Sequence, residues 1–288
     1  MNYSITKDKI TIRDCQDFEP EHILECGQVF RYTKTDFGYL VFSQDKKAEI
    51  KKVGENSFEI LSTDTLYFEH YFDLKTDYSV IKKQVLDSAK NSQFVKNALQ
   101  FGNGIRILNQ DYFEATISFI ISQNNNIKRI QLIIDSLCKK YGKNMGDYYA
   151  FPTAKDLELV TENDYKIIGA GYRASYLVCA VKFFANFDFD SFSVLPEEQM
   201  QKILLSVKGI GPKVADCIML FAYHKKRVFP VDTWIEKVYR DNFATETEKQ
   251  AKNLNRVAIR NNLVKMFDDN SGFAQQYLFY YGRSGSKI

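Results

Sequence analysis

The sequence predicts an α+β fold: an antiparallel sheet at the N-terminal end, packed on a mostly helical remainder. Two observations carry this. Up to Leu61 the chain holds short runs that alternate apolar and polar side chains, the period of strands with one covered face. After about Asp77 the apolar positions fall at helical spacing instead. No repeat, low-complexity segment or Pro/Gly-rich linker separates the two parts. They are expected to share an interface and work as one unit, with a sheet domain over residues 1–98 and a helical domain over 99–288.

Strands are expected at Lys9–Arg13, Phe37–Phe42, Ala48–Val53 and Ser57–Leu61, with turns at Gln44–Asp45 and Gly54–Asn56. Tyr78, Ile81, Val85 and Leu86 then lie on one helical stripe. Helices follow at Tyr112–Ile121, Ile127–Tyr141, Ala174–Phe184, Glu197–Val207, Pro212–Tyr223 and Asp232–Asn242, and one long segment runs from Glu246 to Phe267.

Composition bounds the function classes. With 39 Lys+Arg against 36 Asp+Glu the net charge is only +3, so a nucleic-acid partner would need positive charge gathered on one face. The five cysteines form no CxxC pair, which argues against a disulfide framework, a zinc ribbon and an iron–sulfur cluster. The three histidines are scattered, without a cysteine or carboxylate at ligand spacing, so no metal centre is expected. The N-terminus has no apolar signal core, and no apolar run reaches the ~18 residues a membrane span needs. A cytoplasmic monomer is the simplest expectation.

The chemistry concentrates in a helical hairpin at 203–223, where Gly209-Ile210-Gly211-Pro212-Lys213 joins two helices. Glycines allow a sharp turn, Pro212 suits the first turn of a helix, and the turn's N–H groups with the helix N-terminus suit a phosphate. An ordinary helix connection could use the same residues. Lys213 stands in that first turn, where the helix dipole and burial should both lower its pKa and make the amine a nucleophile able to form a Schiff base. Cys217 is one turn on, on the same face, as a proton acceptor, a base contact or simply a small buried side chain. Asp232 opens the next helix. It can serve as an N-cap, as a carboxylate stabilising positive charge on a sugar ring, or as both.

Taken together, Gly209–Lys213 and Val231-Asp232 resemble the helix–hairpin–helix–Gly/Pro–Asp superfamily of DNA glycosylases, and further segments resemble its eukaryotic-type 8-oxoguanine DNA glycosylase/lyase family over nearly the whole chain. These are Cys26-Gly27-Gln28-Val29-Phe30-Arg31, Gly104–Asp111, Ser122–Ile130, Gly171-Tyr172-Arg173-Ala174 and Gly272–Phe279. The resemblance implies excision of 8-oxoguanine from double-stranded DNA, opposite cytosine, by a compact bacterial enzyme. It makes Lys213 the nucleophile, with Asp232 assisting. Gly27 would accept a hydrogen bond from N7–H of the damaged base, Gln275 would bond its Watson–Crick edge, and Phe279 would stack on its face, with Cys217 nearby. Asn124 would fill the gap left by the flipped base, Arg129 and Arg173 would contact the orphaned cytosine, and Tyr172 would wedge into the duplex. Gly209 and Gly211 would hold a phosphate. No organic cofactor is implied, and a structural cation at the 207–211 carbonyls stays open. Trp234 replaces a histidine of the eukaryotic members. An alkylated-base glycosylase would lack the lysine, and the adenine and pyrimidine enzymes would carry cysteines after Cys217. A DNA-binding module without chemistry is separated only by an activity assay.

Overall fold

The computed structural model describes residues 1–251 and 254–284. Six antiparallel strands form one sheet: β1 Asn2–Ile5, β2 Lys9–Arg13, β3 Tyr32–Thr35, β4 Gly38–Ser43, β5 Lys46–Gly54 and β6 Ser57–Leu61, in the order β1-β2-β6-β5-β4-β3. Ile10 and Ile12 of β2, Tyr39 and Val41 of β4 and Phe58 and Ile60 of β6 point to the covered face, as their alternation requires. The expected turns are in place, with Gln44 and Asn56 at positive φ. The two strands the sequence did not declare, β1 and β3, are the edges of the sheet. An edge strand has a neighbour on one side only and less surface to bury, so its apolar alternation is weak: Tyr32–Thr35 reads YTKT with none of the four buried.

Under the sheet lies a core of Phe18, Phe58, Phe68, Tyr71 and Phe72 around the strand side chains. A second, larger core unites the helices. The expected division at residue 98 does not coincide with the division between cores. The helices Tyr78–Ser88 and Gln93–Phe101 bury Tyr78, Ile81, Val85, Val95 and Ala98 in the helical core, which Cys26 and Phe30 also join, while Leu108 belongs to the core under the sheet. The segment expected as one helix from Glu246 to Phe267 contains two, Glu246–Gln250 and Arg256–Phe267, with residues 252–253 of that run outside the described residues.

The helix Tyr112–Ser122 runs through the middle and is buried from Phe113 to Ile121. Asp111 caps it through bonds from the Phe113 and Glu114 N–H groups at 3.1 and 2.8 Å. The hairpin helix Pro212–Phe221 packs on it, and the C-terminal helix Ser271–Ser284 packs on the helices Gln93–Phe101 and Thr233–Asn242. Its first turn meets the hairpin helix at Gly272, where a Cβ would stand 2.3 Å from Leu220 Cδ1.

Buried charge locks the two parts together. Arg31, just before β3, donates to both Glu114 carboxylate oxygens at 3.3 Å and to Tyr149 O at 2.7 Å, while the Gln44 N–H reaches Glu114 Oε2 at 2.7 Å. Removing one partner leaves the other buried and uncompensated. Glu114→Leu alone should therefore destabilise the protein by about 3–5 kcal/mol, whereas Arg31→Met with Glu114→Leu should recover most of the loss. Denaturant midpoints of the single and double variants check this.

Candidate active site

The hairpin consists of the helices Glu197–Leu205 and Pro212–Phe221. Its two glycines are used differently. Gly209 has φ +96°, and a Cβ there would meet the Tyr176 ring at 2.4 Å, so the fold itself demands glycine. Gly211 has an ordinary φ of −90°, and nothing lies within 4 Å of where its Cβ would be. Of the two, only Gly209 takes the positive φ that glycine makes accessible. Glycine at 211 is useful only to something approaching from outside, at the N-terminus of the following helix. The Gly209 carbonyl accepts from Gln123 Nε2 at 2.8 Å, which ties the hairpin to the end of the central helix.

Lys213 projects from the first turn of that helix into a cavity of about 1250 Å³. Its ammonium nitrogen lies 5.6 Å from the Phe119 ring centre, and Cys217 and Asp232 act on its charge. The expectation that its pKa is depressed is not met. Burial does lower it, more than any other single influence, but Cys217 and Asp232 together hold the charged form and leave it above the ordinary lysine value of 10.5. Burial pushes the Cys217 thiol up to about 11 against the pull of Lys213, so at neutral pH the pair is an ammonium beside a thiol.

Asp232 is the N-cap of the helix Thr233–Asn242 and lines the same cavity. Both cap bonds, from the Trp234 and Ile235 N–H groups at 3.0 and 2.9 Å, go to Oδ1. Oδ2 has no partner among the described residues. The two readings of Asp232 are thus compatible: one oxygen fixes the carboxylate, and the other is available to a ligand.

Gly27 and Phe279 line the same cavity. Gly27 sits at φ +91°, and a Cβ there would touch Phe279 at 3.4 Å and Arg283 at 3.2 Å. Its neighbour Cys26 is held by Gln276 Nε2, which donates to the Cys26 carbonyl at 3.0 Å. Gln275 is buried behind the wall rather than on it; its Nε2 reaches Pro230 O at 3.5 Å, and its Oε1 is buried without a partner.

The remaining expected contacts divide in two. Asn124 (φ +46°), Lys128 and Tyr172 line the cavity mouth, with Tyr172 53% exposed. Arg129 is exposed nearby and makes only a long bond, 3.4 Å, to Gly169 O. Arg173 is placed otherwise than expected. It is buried, and it donates to the carbonyls of Gln123, Asn124 and Ala170. Its place in this structure is under the Asn124 turn, which it holds, not at an outer surface. Sequence reasoning missed Phe30, Phe119, Arg256 and Arg283, which also line the cavity. The signal for Arg283 was present: it stands four residues after Phe279, itself four after Gln275, so the three share a helical face. Among the described residues no three His, Cys, Asp or Glu side chains converge to hold a metal ion, and no helix is long and apolar enough to cross a membrane.

Known proteins share this arrangement. Residues 10–116 match the 8-oxoguanine DNA glycosylase N-terminal domain, and residues 117–260 match the HhH-GPD superfamily base excision DNA repair protein. An N-glycosylase/DNA lyase of Saccharomyces cerevisiae is 29% identical over an alignment spanning 92% of this chain and 84% of that protein. The 8-oxoguanine glycosylase/lyase of Clostridium acetobutylicum, solved in complex with double-stranded DNA containing cytosine opposite to 8-oxoG, superposes with a TM-score of 0.89 at 36% identity, covering 99% of each chain. Its apo form superposes with 0.85 at 37% identity, covering 97% of this chain and 98% of that one.

The two hairpin glycines make separable predictions. Gly209→Ala should lose about 1–3 kcal/mol from its backbone conformation alone, with the Tyr176 clash in addition. Gly211→Ala should melt with the unaltered protein. Thermal denaturation of both variants checks the contrast.

Proposed function

The chain belongs to the 8-oxoguanine DNA glycosylase family of the HhH-GPD superfamily of base excision repair proteins and is an N-glycosylase and DNA lyase; from that premise we propose that it excises 8-oxoguanine opposite cytosine in duplex DNA, with Lys213 as nucleophile. One observation carries the reading: Lys213 and Asp232, whose Oδ2 has no partner among the described residues, line one cavity together with Gly27 and Phe279.

The hairpin N–H groups and the bare Gly211 accept a backbone phosphate, with Lys128 and Arg129 adding charge at the mouth. Tyr172 wedges into the duplex and Asn124 fills the space the nucleotide leaves, on a turn that Arg173 braces from beneath. Arg129, exposed and nearly free, is the better placed of the two arginines to meet the orphaned cytosine. The damaged nucleotide rotates out at a cost of a few kcal/mol and enters between Phe279 and the hairpin helix. The Gly27 carbonyl accepts from N7–H, a donor that undamaged guanine lacks.

As the bond from C1′ to the base breaks, its electron pair leaves with the base, and Asp232 stabilises the positive charge left on the sugar. The Lys213 amine, having lost its proton, bonds C1′, and ring opening gives a Schiff base. Loss of a C2′ proton then expels the 3′ phosphate by β-elimination. Because Lys213 rests protonated, its proton must leave before attack.

Three outcomes are expected. Sodium borohydride should trap a covalent adduct on a duplex holding 8-oxoguanine opposite cytosine, and Lys213→Gln should bind that duplex without adduct or cleavage. An adduct surviving in Lys213→Gln would remove the assignment. Cleavage of a preformed abasic site should climb with pH from roughly 6 to 9, because the free-amine fraction grows about tenfold per unit below the lysine's pKa. Cys217 raises that pKa, so Cys217→Ala should move the profile to lower pH, and steady-state rates across the range measure the displacement.

A further inference from the structure

The C-terminal helix presents Gln275, Phe279 and Arg283 along one face, and of these the reaction as described uses Phe279. Arg283 reaches the cavity wall and is held there. Its Nη2 donates to the Glu25 carbonyl at 2.7 Å. Its guanidinium carbon lies 5.4 Å from the Phe279 ring centre and 5.9 Å from that of Tyr280. Its Nη1 is 3.2 Å from the point a Gly27 Cβ would occupy, a point only 3.4 Å from Phe279. No carboxylate pairs with it among the described residues. A guanidinium carries five N–H donors in a fixed fork, and the one protein acceptor found for it uses one of them.

We propose that Arg283 is a specificity-determining residue that donates a hydrogen bond to a carbonyl oxygen of the flipped purine. This rests on the reading of the cavity as an 8-oxoguanine pocket. In that base N7–H is flanked by two carbonyl oxygens, O8 on the adjacent carbon and O6 on the six-membered ring. A base whose N7–H meets the Gly27 carbonyl must therefore bring two acceptors beside Gly27, where Nη1 already stands. Acceptor and donor on the protein then match donor and acceptor on the base. The Phe279 face and the Glu25 carbonyl fix the guanidinium's position before the base arrives, so little rotamer freedom is lost on binding. A purine carrying an amino group at C6 would set a donor against the guanidinium on that side.

The test compares base release with cleavage of a site that has no base. Single-turnover rates are measured for the unaltered protein, Arg283→Met and Arg283→Lys on a duplex with 8-oxoguanine opposite cytosine and on the same duplex with a preformed abasic site. Arg283→Met should release 8-oxoguanine at least tenfold more slowly and cleave the abasic site within twofold of the unaltered rate. Arg283→Lys, which keeps the charge but not the fork, should recover part of the loss. Unchanged base release in both variants would overturn the proposal. So would equal loss of both activities in both variants, which would make Arg283 a phosphate or packing contact. Failure of the unaltered protein to release 8-oxoguanine would instead bring down the pocket reading itself.

Discussion

The pocket depends on one buried amide. Gln28 is fully enclosed, and its Nε2 donates to Ile23 O at 2.9 Å and to Arg106 O at 2.8 Å, while its Oε1 accepts from the Leu108 N–H at 2.9 Å. Its own carbonyl accepts from Gln110 Nε2 at 2.7 Å. A single residue thus joins the short helix Pro20–Glu25 to the segment that leads into the central helix. A satisfied buried amide is rigid, and each lost bond would leave a group uncompensated at about 1–3 kcal/mol. Gly27 precedes Gln28, so the position of its carbonyl relative to Lys213 is inherited from this network. Arg106 works from the same segment. Wholly buried, it donates to the carbonyls of Phe72, Asp17, Asp73 and Thr76 and stacks 4.0 Å from the Tyr78 ring centre. Under the proposed function the N-terminal part supplies the Gly27 carbonyl and the helical part supplies Lys213, and these two polar side chains hold the segments between them in place.

Against that rigid frame Lys213 is held as an ammonium. The helix N-terminus and burial both disfavour an ammonium at Lys213, but Cys217, Asp232 and the Phe119 face retain it. The fold does not make a free amine by itself. Under the proposed function, activation belongs to the encounter with substrate, which would supply a route for the proton. A lysine that stays charged until then does not react with stray carbonyl compounds, and the same charge favours entry of a phosphate-bearing strand.

How much of this was legible depends on whether a feature is local. The interior strands, the hairpin, Lys213 and Asp232 were readable because period, turn chemistry and capping act over a few residues. The edge strands were not, since Tyr32–Thr35 and Asn2–Ile5 each pair on one side only and bury none of their residues, which leaves little apolar alternation to read. The lysine's pKa was misjudged for a related reason: dipole and burial can be read from position in a helix, but the opposing influence of Asp232 arises only when two helices meet. Arg173 was expected at the DNA surface beside Tyr172. Sequence could not reveal that the Gln123 and Asn124 carbonyls come within reach of its guanidinium and draw it inward. Arg283 was overlooked although its spacing was visible, because helical spacing alone does not separate a pocket face from a core face in a helix buried along most of its length.

The buried Gln275 carries a last step of the argument. Its Nε2 reaches the Pro230 carbonyl at 3.5 Å, and its Oε1 is a buried acceptor without a partner among the described residues, on the helical face that carries Phe279 and Arg283. Keeping such a group costs about 1–3 kcal/mol in the unliganded fold, a cost that a ligand's donor would remove. Under the proposed function, the Watson–Crick edge of a guanine-type base offers donors at N1 and at the exocyclic amine, whereas an adenine-type base offers an acceptor at N1. Gly27 supplies the second acceptor, for N7–H. Two acceptors set against opposite edges favour a base that donates from both. Guanine fails at N7 and 8-oxoadenine fails at N1, while 8-oxoguanine meets both conditions. Selectivity of this kind comes from polar groups that a wrong base would leave unpaired, and it therefore exceeds what the shape of the Phe279 slot could provide alone.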